Sequence, residues 1–341
     1  MKRSFIYSML ICILLAAFLS ACAPASSAGS EVAETETASA EEISDGVSDQ
    51  AEPMELTLGT WKTAQTITPY FYQDYSKGKI SAEVLPFTNP GDQKTALLAG
   101  SLDICGTTLV SAILAAAEGE PIVIVAGLCN KCSALVAGTD TGIKSGADLK
   151  GKRIAYVPGT MHHILLLDVL RQNGIDPDKE VTLKRIDFFD MGTALAGGEI
   201  DAFCSGEPYP TIAQLEGYGE IISYPYFDES IGSINAAMIV TKQMAQEEPE
   251  KVQALVNAHV AATRALNADQ ELWLEKAAEF GTDPGVLQAS VDNMELFYEI
   301  DEDFITHTKR LAEEMLALGL IDEIPDIEAL FDLRFLENAQ P

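Results

Sequence analysis

Positive charge is what this sequence is short of. Against 52 acidic residues stand 22 lysines and arginines, a formal net charge of −30. So acidic a chain repels phosphate backbones and anionic bilayers, which argues against nucleic acid as a partner and against general binding to anionic surfaces. It leaves room for a small anionic ligand, because local donors outweigh distant charge screened over about 10 Å. Histidine is scarce, at four residues, and tryptophan at two. No GxSxG elbow or HExxH pair occurs, and Gly217-Tyr218-Gly219 lacks the third glycine of a dinucleotide fingerprint. Gly146 to Arg153 (GADLKGKR) approaches a phosphate loop, but Arg153 stands where Ser or Thr is required, and the run precedes its strand instead of following it. No cofactor is implied.

One long apolar run is present, and it comes first. Met1-Lys2-Arg3 leads into Phe5 to Leu19, followed by Leu19-Ser20-Ala21-Cys22. A cationic tip, an apolar core too short to span comfortably and small residues before the break mark residues 1–21 as an export signal, with an uncleaved anchor as the alternative. The Leu-Ser-Ala-Cys ending resembles the lipobox of bacterial lipoproteins. That resemblance implies that Cys22 is acylated and becomes the first mature residue, each buried methylene contributing about 0.8 kcal/mol to the anchor. Ala23 to Pro53 has no lysine or arginine and too few apolar residues to pack. It reads as a disordered acidic tether, residues 22–53 including the lipid site, reaching on the order of 30 Å.

The body from Met54 is long enough for two domains. Strands are expected at Met54–Gly59, Ile80–Phe87, Leu102–Cys105, Pro121–Leu128 and Ala134–Ala137, with helices at Thr66–Tyr75, Gln93–Ala99 and Leu109–Ala117 between them. Leu149 to Pro210 repeats the pattern as strand, glycine turn, helix, strand, helix, strand. Thr160 is placed to cap its first helix and Asn173-Gly174 to end it. After strands near Ile221 and at Ala236–Val240, the chain is helical over Lys251–Leu266, Glu271–Phe280 and Phe304–Leu318. Strands alternating with helices predict an α/β fold with mostly parallel sheets, whose ligands sit beyond the carboxyl ends of the strands. Gly159-Thr160-Met161-His162 and Ser205-Gly206-Glu207-Pro208 fall at such ends.

Four cysteines lie in the body. Cys129 and Cys132 have the CxxC spacing of a metal or redox pair and are the one disulfide the spacing suggests; Cys105 and Cys204 are lone residues. Without a second close pair, small buried hydrophobes are the favoured reading and no metal site is expected. His259 and His307 lie on amphipathic helices as surface or interface residues.

The run Asp148-Leu149-Lys150-Gly151-Lys152-Arg153 with Gly159-Thr160-Met161-His162, Gly174-Ile175-Asp176-Pro177-Asp178 and Phe203-Cys204-Ser205-Gly206-Glu207-Pro208 resembles the nitrate/sulfonate/taurine/bicarbonate group of ABC-transporter solute-binding proteins. That group also includes binders of thiamine-type pyrimidine precursors. The resemblance, from about Leu56 to Leu336, implies a two-lobe periplasmic-binding-protein-like clamshell (type II), each lobe a mostly parallel sheet flanked by helices. The chain would cross between lobes near Ala137 and Asn235, making residues 54–138 plus 235–341 one lobe and 139–234 the other. It further implies a monomer, lipid-anchored to the outer face of a bacterial membrane, that hands a small solute to an ABC permease and its ATPase.

Candidate ligand contacts are Trp61, Lys62, Thr107, Thr108, Thr160, Met161, His162 and Glu207. The helix ends after Thr108 and Thr160 offer N–H groups and a positive dipole to an oxyanion, and Lys62 a cation. Trp61 offers a stacking face, and His162 donates or accepts according to its protonation. Glu207 fits an anionic guest poorly unless protonated or paired, and fits a zwitterion or neutral heterocycle better. The leading expectation is a binder of a nitrate-, sulfonate- or taurine-like solute, the second a binder of a pyrimidine or related heterocycle. From other classes come an exported enzyme using Cys105, Cys132 or Cys204 as nucleophile with His162 as base, and a cysteine-based metal sensor.

Overall fold

The computed structural model describes residues 52–340; the expected export signal, Cys22 and nearly all of the expected tether lie outside the described residues. Among the described residues, eleven strands form two sheets. They are β1 (Met54–Trp61), β2 (Ile80–Phe87), β3 (Ile104–Thr108), β4 (Ile122–Lys131), β5 (Ser133–Gly138), β6 (Arg153–Tyr156), β7 (Thr182–Arg185), β8 (Ala202–Gly206), β9 (Gly219–Ser223), β10 (Ile234–Thr241) and β11 (Met294–Leu296). The first sheet has the order β11-β4-β10-β3-β1-β2 and the second β7-β6-β8-β5-β9.

Strand direction follows from where the chain enters each sheet. Both triplets β2-β1-β3 and β7-β6-β8 are parallel, and in each sheet the strand beside them, β10 or β5, is antiparallel. Those two strands follow the chain crossings. A strand that starts where its neighbours end has to run against them. The first crossing is at Lys131-Cys132, not near Ala137: β5, assigned from the sequence to the first lobe, pairs with β8 and β9 in the second sheet. The second falls between Ser223 and Ile234, close to the expected Asn235.

Both faces of each sheet are covered, so its strands are apolar on both sides. In the second sheet Leu135, Ala137, Ile154, Ala202 and Cys204 pack on one face, and Val136, Ala155 and Phe203 on the other, with the period of two that a pleat demands. In the first sheet Ile122 and Ile124 face the Leu109–Ala117 and Glu302–Ala317 helices, whereas Val123 and Val125 face the long Pro249–Ala268 helix. Bulges in the β4–β10 pairing then turn Ala126, Leu128 and Cys129 to that second side. The long helix buries Val252, Leu255, Val256, His259, Ala262, Thr263 and Leu266, one stripe at helical spacing. The expected helix Thr66–Tyr75 is instead three short turns, Ala64–Thr66, Thr68–Phe71 and Tyr72–Tyr75. Its first residues are buried all round, and Pro69 at the start of the second turn has no N–H to continue the first.

His259 is a core residue and not a surface one. Its Nε2 lies 2.7 Å from the Gly127 carbonyl and its Nδ1 2.8 Å from the Tyr72 hydroxyl. A carbonyl only accepts, so Nε2 carries the proton and Nδ1 accepts from Tyr72. Burial pushes the pKa down to about 4. Replacing His259 by phenylalanine strands the buried Tyr72 hydroxyl, and the expected loss is about 1–3 kcal/mol in urea unfolding. The acid limb supplies a second readout. The unfolded chain takes up this proton near pH 6.5 and the folded one only near 4, so the wild type loses stability as pH falls through that window. The His259→Phe variant should show a flatter melting-temperature profile between pH 6.5 and 4.

Candidate functional site

Where the two sheets meet, a partly open cavity is lined by strand ends and by the turns and helix starts that follow them. Trp61 closes β1, Thr108 closes β3, Gly206 closes β8, and Asn235 and Ala236 open β10. Thr160 follows β6, Phe188 follows β7, and Cys132 is the crossing itself. Five of the eight expected contacts line it: Trp61, Thr108, Thr160, His162 and Glu207. The other three do not. Lys62, one residue past Trp61 on an extended chain, points the opposite way, with its ammonium 5.3 Å from the Phe280 ring centre in an outer groove. Thr107 is fully buried and its hydroxyl has no partner. Met161 packs into the first lobe's core.

At both opposed helix ends the threonine hydroxyls are already engaged. Thr160 Oγ donates to the Val157 carbonyl and accepts from the His163 amide. Thr108 Oγ accepts from the Ser111 amide and donates across the cleft to the Gly159 carbonyl at 2.6 Å. The two caps close on each other.

Aromatic rings and a carboxyl shape the space that remains. Phe188 meets His162 edge-on, with centroids 5.5 Å apart, and lies parallel to Tyr209. Gly106 lets Trp61 lie on β3, since a Cβ there would stand 3.3 Å from the indole. His162 Nδ1 pairs with Ser133 Oγ at 2.8 Å, and burial pushes its pKa down to about 3, so the ring is neutral. Glu207 is 1% exposed. Its carboxylate accepts from Asn293 Nδ2 and the Thr211 amide, both at 3.2 Å. Desolvation nonetheless raises its pKa, the hydrogen bonds only partly opposing it. Gln65, which sequence reasoning missed, donates its amide to the Glu207 carbonyl at 2.8 Å and leaves Oε1 unpaired; Trp61 Nε1 is likewise unpaired. Beside the cavity therefore lie a buried donor and a buried acceptor without partners, and a buried carboxyl. No lysine or arginine lines the cavity.

Cys129 and Cys132 both reach this cavity as free thiols. Burial pushes Cys132 up to about 12 and Cys129, Cys105 and Cys204 upward as well. Cys132 Sγ accepts from Asn235 Nδ2 at 3.1 Å. Protonated thiols beside a neutral imidazole do not make the thiolate–imidazolium pair a cysteine nucleophile needs. Among the described residues no three His, Cys, Asp or Glu side chains converge as a metal site. The missed residues Gln65, Phe188 and Tyr209 share one signal, position just past a strand's carboxyl end.

Two α/β sheets facing each other across a cleft, with the chain crossing twice, define the periplasmic-binding-protein fold. The alkanesulfonate-binding protein SsuA from Xanthomonas axonopodis pv. citri, solved bound to MOPS, has the same fold, with TM-score 0.73, 20% identity and coverage of 83% of this chain and 100% of that one. The model of the NMT1/THI5-like family matches residues 74–271, more than half of the sequence, and the chain belongs to that family. Relatives include the "Putative aliphatic sulfonates-binding protein" of Escherichia coli (strain K12), 33% identical over 42% of this chain and 44% of that one. The 4-amino-5-hydroxymethyl-2-methylpyrimidine phosphate synthase of Schizosaccharomyces pombe is 28% identical over 42% of each. The chain therefore spans less than half the length of either relative.

Gly206 leaves no room for a side chain. A Cβ there would stand 2.9 Å from His162 Nε2 and 3.3 Å from Cys132 Sγ. Gly206→Ala should cost about 1–3 kcal/mol in thermal unfolding without added solute, as overpacking does.

Proposed function

We propose that this chain is the solute-binding component of an ABC importer and holds a small planar nitrogen heterocycle, neutral or cationic, between its lobes. The observation that carries the ligand class is the buried Glu207 among the residues lining a cavity that no lysine or arginine lines. An anion about 4 Å from an ionised Glu207 would be repelled by about 4 kcal/mol at an effective dielectric of 20. Protonating Glu207 removes the repulsion but supplies no positive charge. A heterocycle with an amino group beside a ring nitrogen meets each unsatisfied group: its N–H donors match Glu207 and Gln65 Oε1, and its ring nitrogen accepts from Trp61 Nε1. Its faces fit between Trp61 and the Phe188–Tyr209 pair. This favours the second sequence expectation over the nitrate, sulfonate or taurine one. A family that contains both a sulfonates-binding relative and a pyrimidine phosphate synthase is compatible with either chemistry.

Two lobes divided at the Lys131-Cys132 and Ser223–Ile234 crossings would hinge there and present the closed form to the permease. Acylation of Cys22 would hold the protein at the outer face of the membrane as a monomer. Among the described residues no helix is long and apolar enough to cross a bilayer.

Titration calorimetry with 4-amino-2-methylpyrimidine, taurine and nitrate tests the ligand class. The pyrimidine should bind and the two anions should not, and Glu207→Gln should weaken pyrimidine binding roughly 10- to 100-fold. Tight taurine or nitrate binding with no pyrimidine binding overturns the assignment. Membrane attachment is read separately: Cys22→Ser should move the protein from the membrane pellet to the soluble fraction, and a variant that stays in the pellet removes the lipid anchor.

A further inference from the structure

The lobes touch directly, and the contact is built around one carbonyl. Gly159 lies between β6 and the Met161–Gln172 helix with φ of +71°, the left-handed region. Its carbonyl accepts two hydroxyls from the other lobe, Thr108 Oγ at 2.6 Å and Ser111 Oγ at 3.0 Å. A Cβ on Gly159 would stand 3.2 Å from Ser111 Oγ, so glycine serves both the turn and the close approach. Within its own lobe the nearby hydroxyl is committed elsewhere, as Thr160 Oγ donates to Val157. Around this point Met161, Ile164 and Leu165 of the second lobe pack into the same core as Leu109, Val110 and Ile113 of the first. Arg171 also pairs with Glu314 across the lobes at 2.7 Å, though its half-exposed guanidinium makes that contribution small.

We propose that the Thr108–Ser111–Gly159 contact is a latch that holds the lobes closed in the absence of solute, and that Ser111, which does not line the cavity, sets apparent affinity through the closed-state population. The proposal goes beyond the ligand assignment and rests only on the two-lobe hinge. A site that is open only part of the time binds its guest by way of the open form, and a latch that stabilises the closed form raises occupancy without touching the guest. Ser111 is thus a positioning residue for closure. Its hydroxyl exchanges water for the Gly159 carbonyl each time the lobes shut, so its net worth is that of one neutral hydrogen bond.

The test uses the full chain with no solute added, shown by native mass spectrometry to carry none, so it stands apart from the identity of the guest. Spin labels on p-acetylphenylalanine at Glu83 and Glu199, exposed positions on opposite lobes, report the lobe-to-lobe distance by pulsed electron resonance. Wild type should show a dominant short distance. Ser111→Ala should lower the closed-to-open ratio about 2- to 12-fold, and Thr108→Val with Ser111→Ala by roughly the product of two such factors. Melting curves on the same samples establish that each variant is folded. A wild type that is wholly open, or a folded double variant whose distance distribution matches wild type, overturns the latch. In either case the titration result for the solute is unaffected.

Discussion

Both chain crossings are tied at one point, and the geometry of the cleft depends on that tie. Lys131 and Cys132 take consecutive left-handed conformations, with φ of 61° and 69°. That reverses the chain between sheets without a glycine. The Lys131 amide donates to the Ser233 carbonyl and the Cys132 amide to the Asn293 carbonyl, both at 2.7 Å, while the Cys132 carbonyl accepts from the Glu207 amide at 2.8 Å. Asn235 reaches back to the Lys131 carbonyl. One dipeptide therefore fixes the second crossing, the turn that carries Glu207 and the loop that carries Asn293. Two successive non-glycine residues in this region are costly. Four hydrogen bonds from three other segments hold them there. Shared anchoring of this kind puts the pivot of any hinge next to the ligand cavity, so a guest there acts on the hinge at short range.

The same tie explains the electrostatics of the site. Glu207 is held between Cys132 and Gln65 through its backbone, and its side chain has no choice but the dry interior. Desolvation raises its pKa while His162 beside it is driven low, so both groups lean towards their neutral forms. The two shifts act oppositely on stability. Keeping His162 neutral costs stability as pH falls from about 6.5 towards 3, where only the unfolded chain is protonated. Keeping Glu207 from ionising costs stability as pH rises above the ordinary carboxylate range, where the unfolded chain readily loses that proton. A donor from a guest would relieve the second cost and leave the first unchanged, which is a reason to expect cavity occupancy to stabilise the protein most near neutrality.

Much of this was legible in the sequence because strand ends are legible. The glycine turn after β6, the Ser205-Gly206-Glu207-Pro208 end of β8 and the threonines capping both helices are local signals, and each falls at the cleft. What was not legible is direction. Trp61 and Lys62 are neighbours, as are Thr107 and Thr108, and on an extended chain one residue of each pair faces the cavity and the other does not. Met161 and His162 differ by about 100° around a helix, enough to send one into the core and the other to the site. The apolar run Ala134–Ala137 reads the same in either sheet, and the reversal before it carries no glycine or proline to announce it. Gln65 sits just before a stretch that looks helical, and nothing in its surroundings says that its amide spans the cleft.

Closure and recognition share parts, and that sharing shapes what the site can select. Gln65 donates to the second lobe through its amide nitrogen, and its Oε1 is left buried without a partner. Thr108 is bound the same way: its hydroxyl is engaged with Gly159 once the lobes close, and is free to meet a guest only while they are apart. An oxyanion attracted to the open helix ends would have to be displaced before the caps could join. A guest seated deeper, against Glu207 and the aromatic rings, leaves the caps free to close over it. On the heterocycle assignment proposed above, closure of the lobes as well as the residues that line the cavity would disfavour an anion.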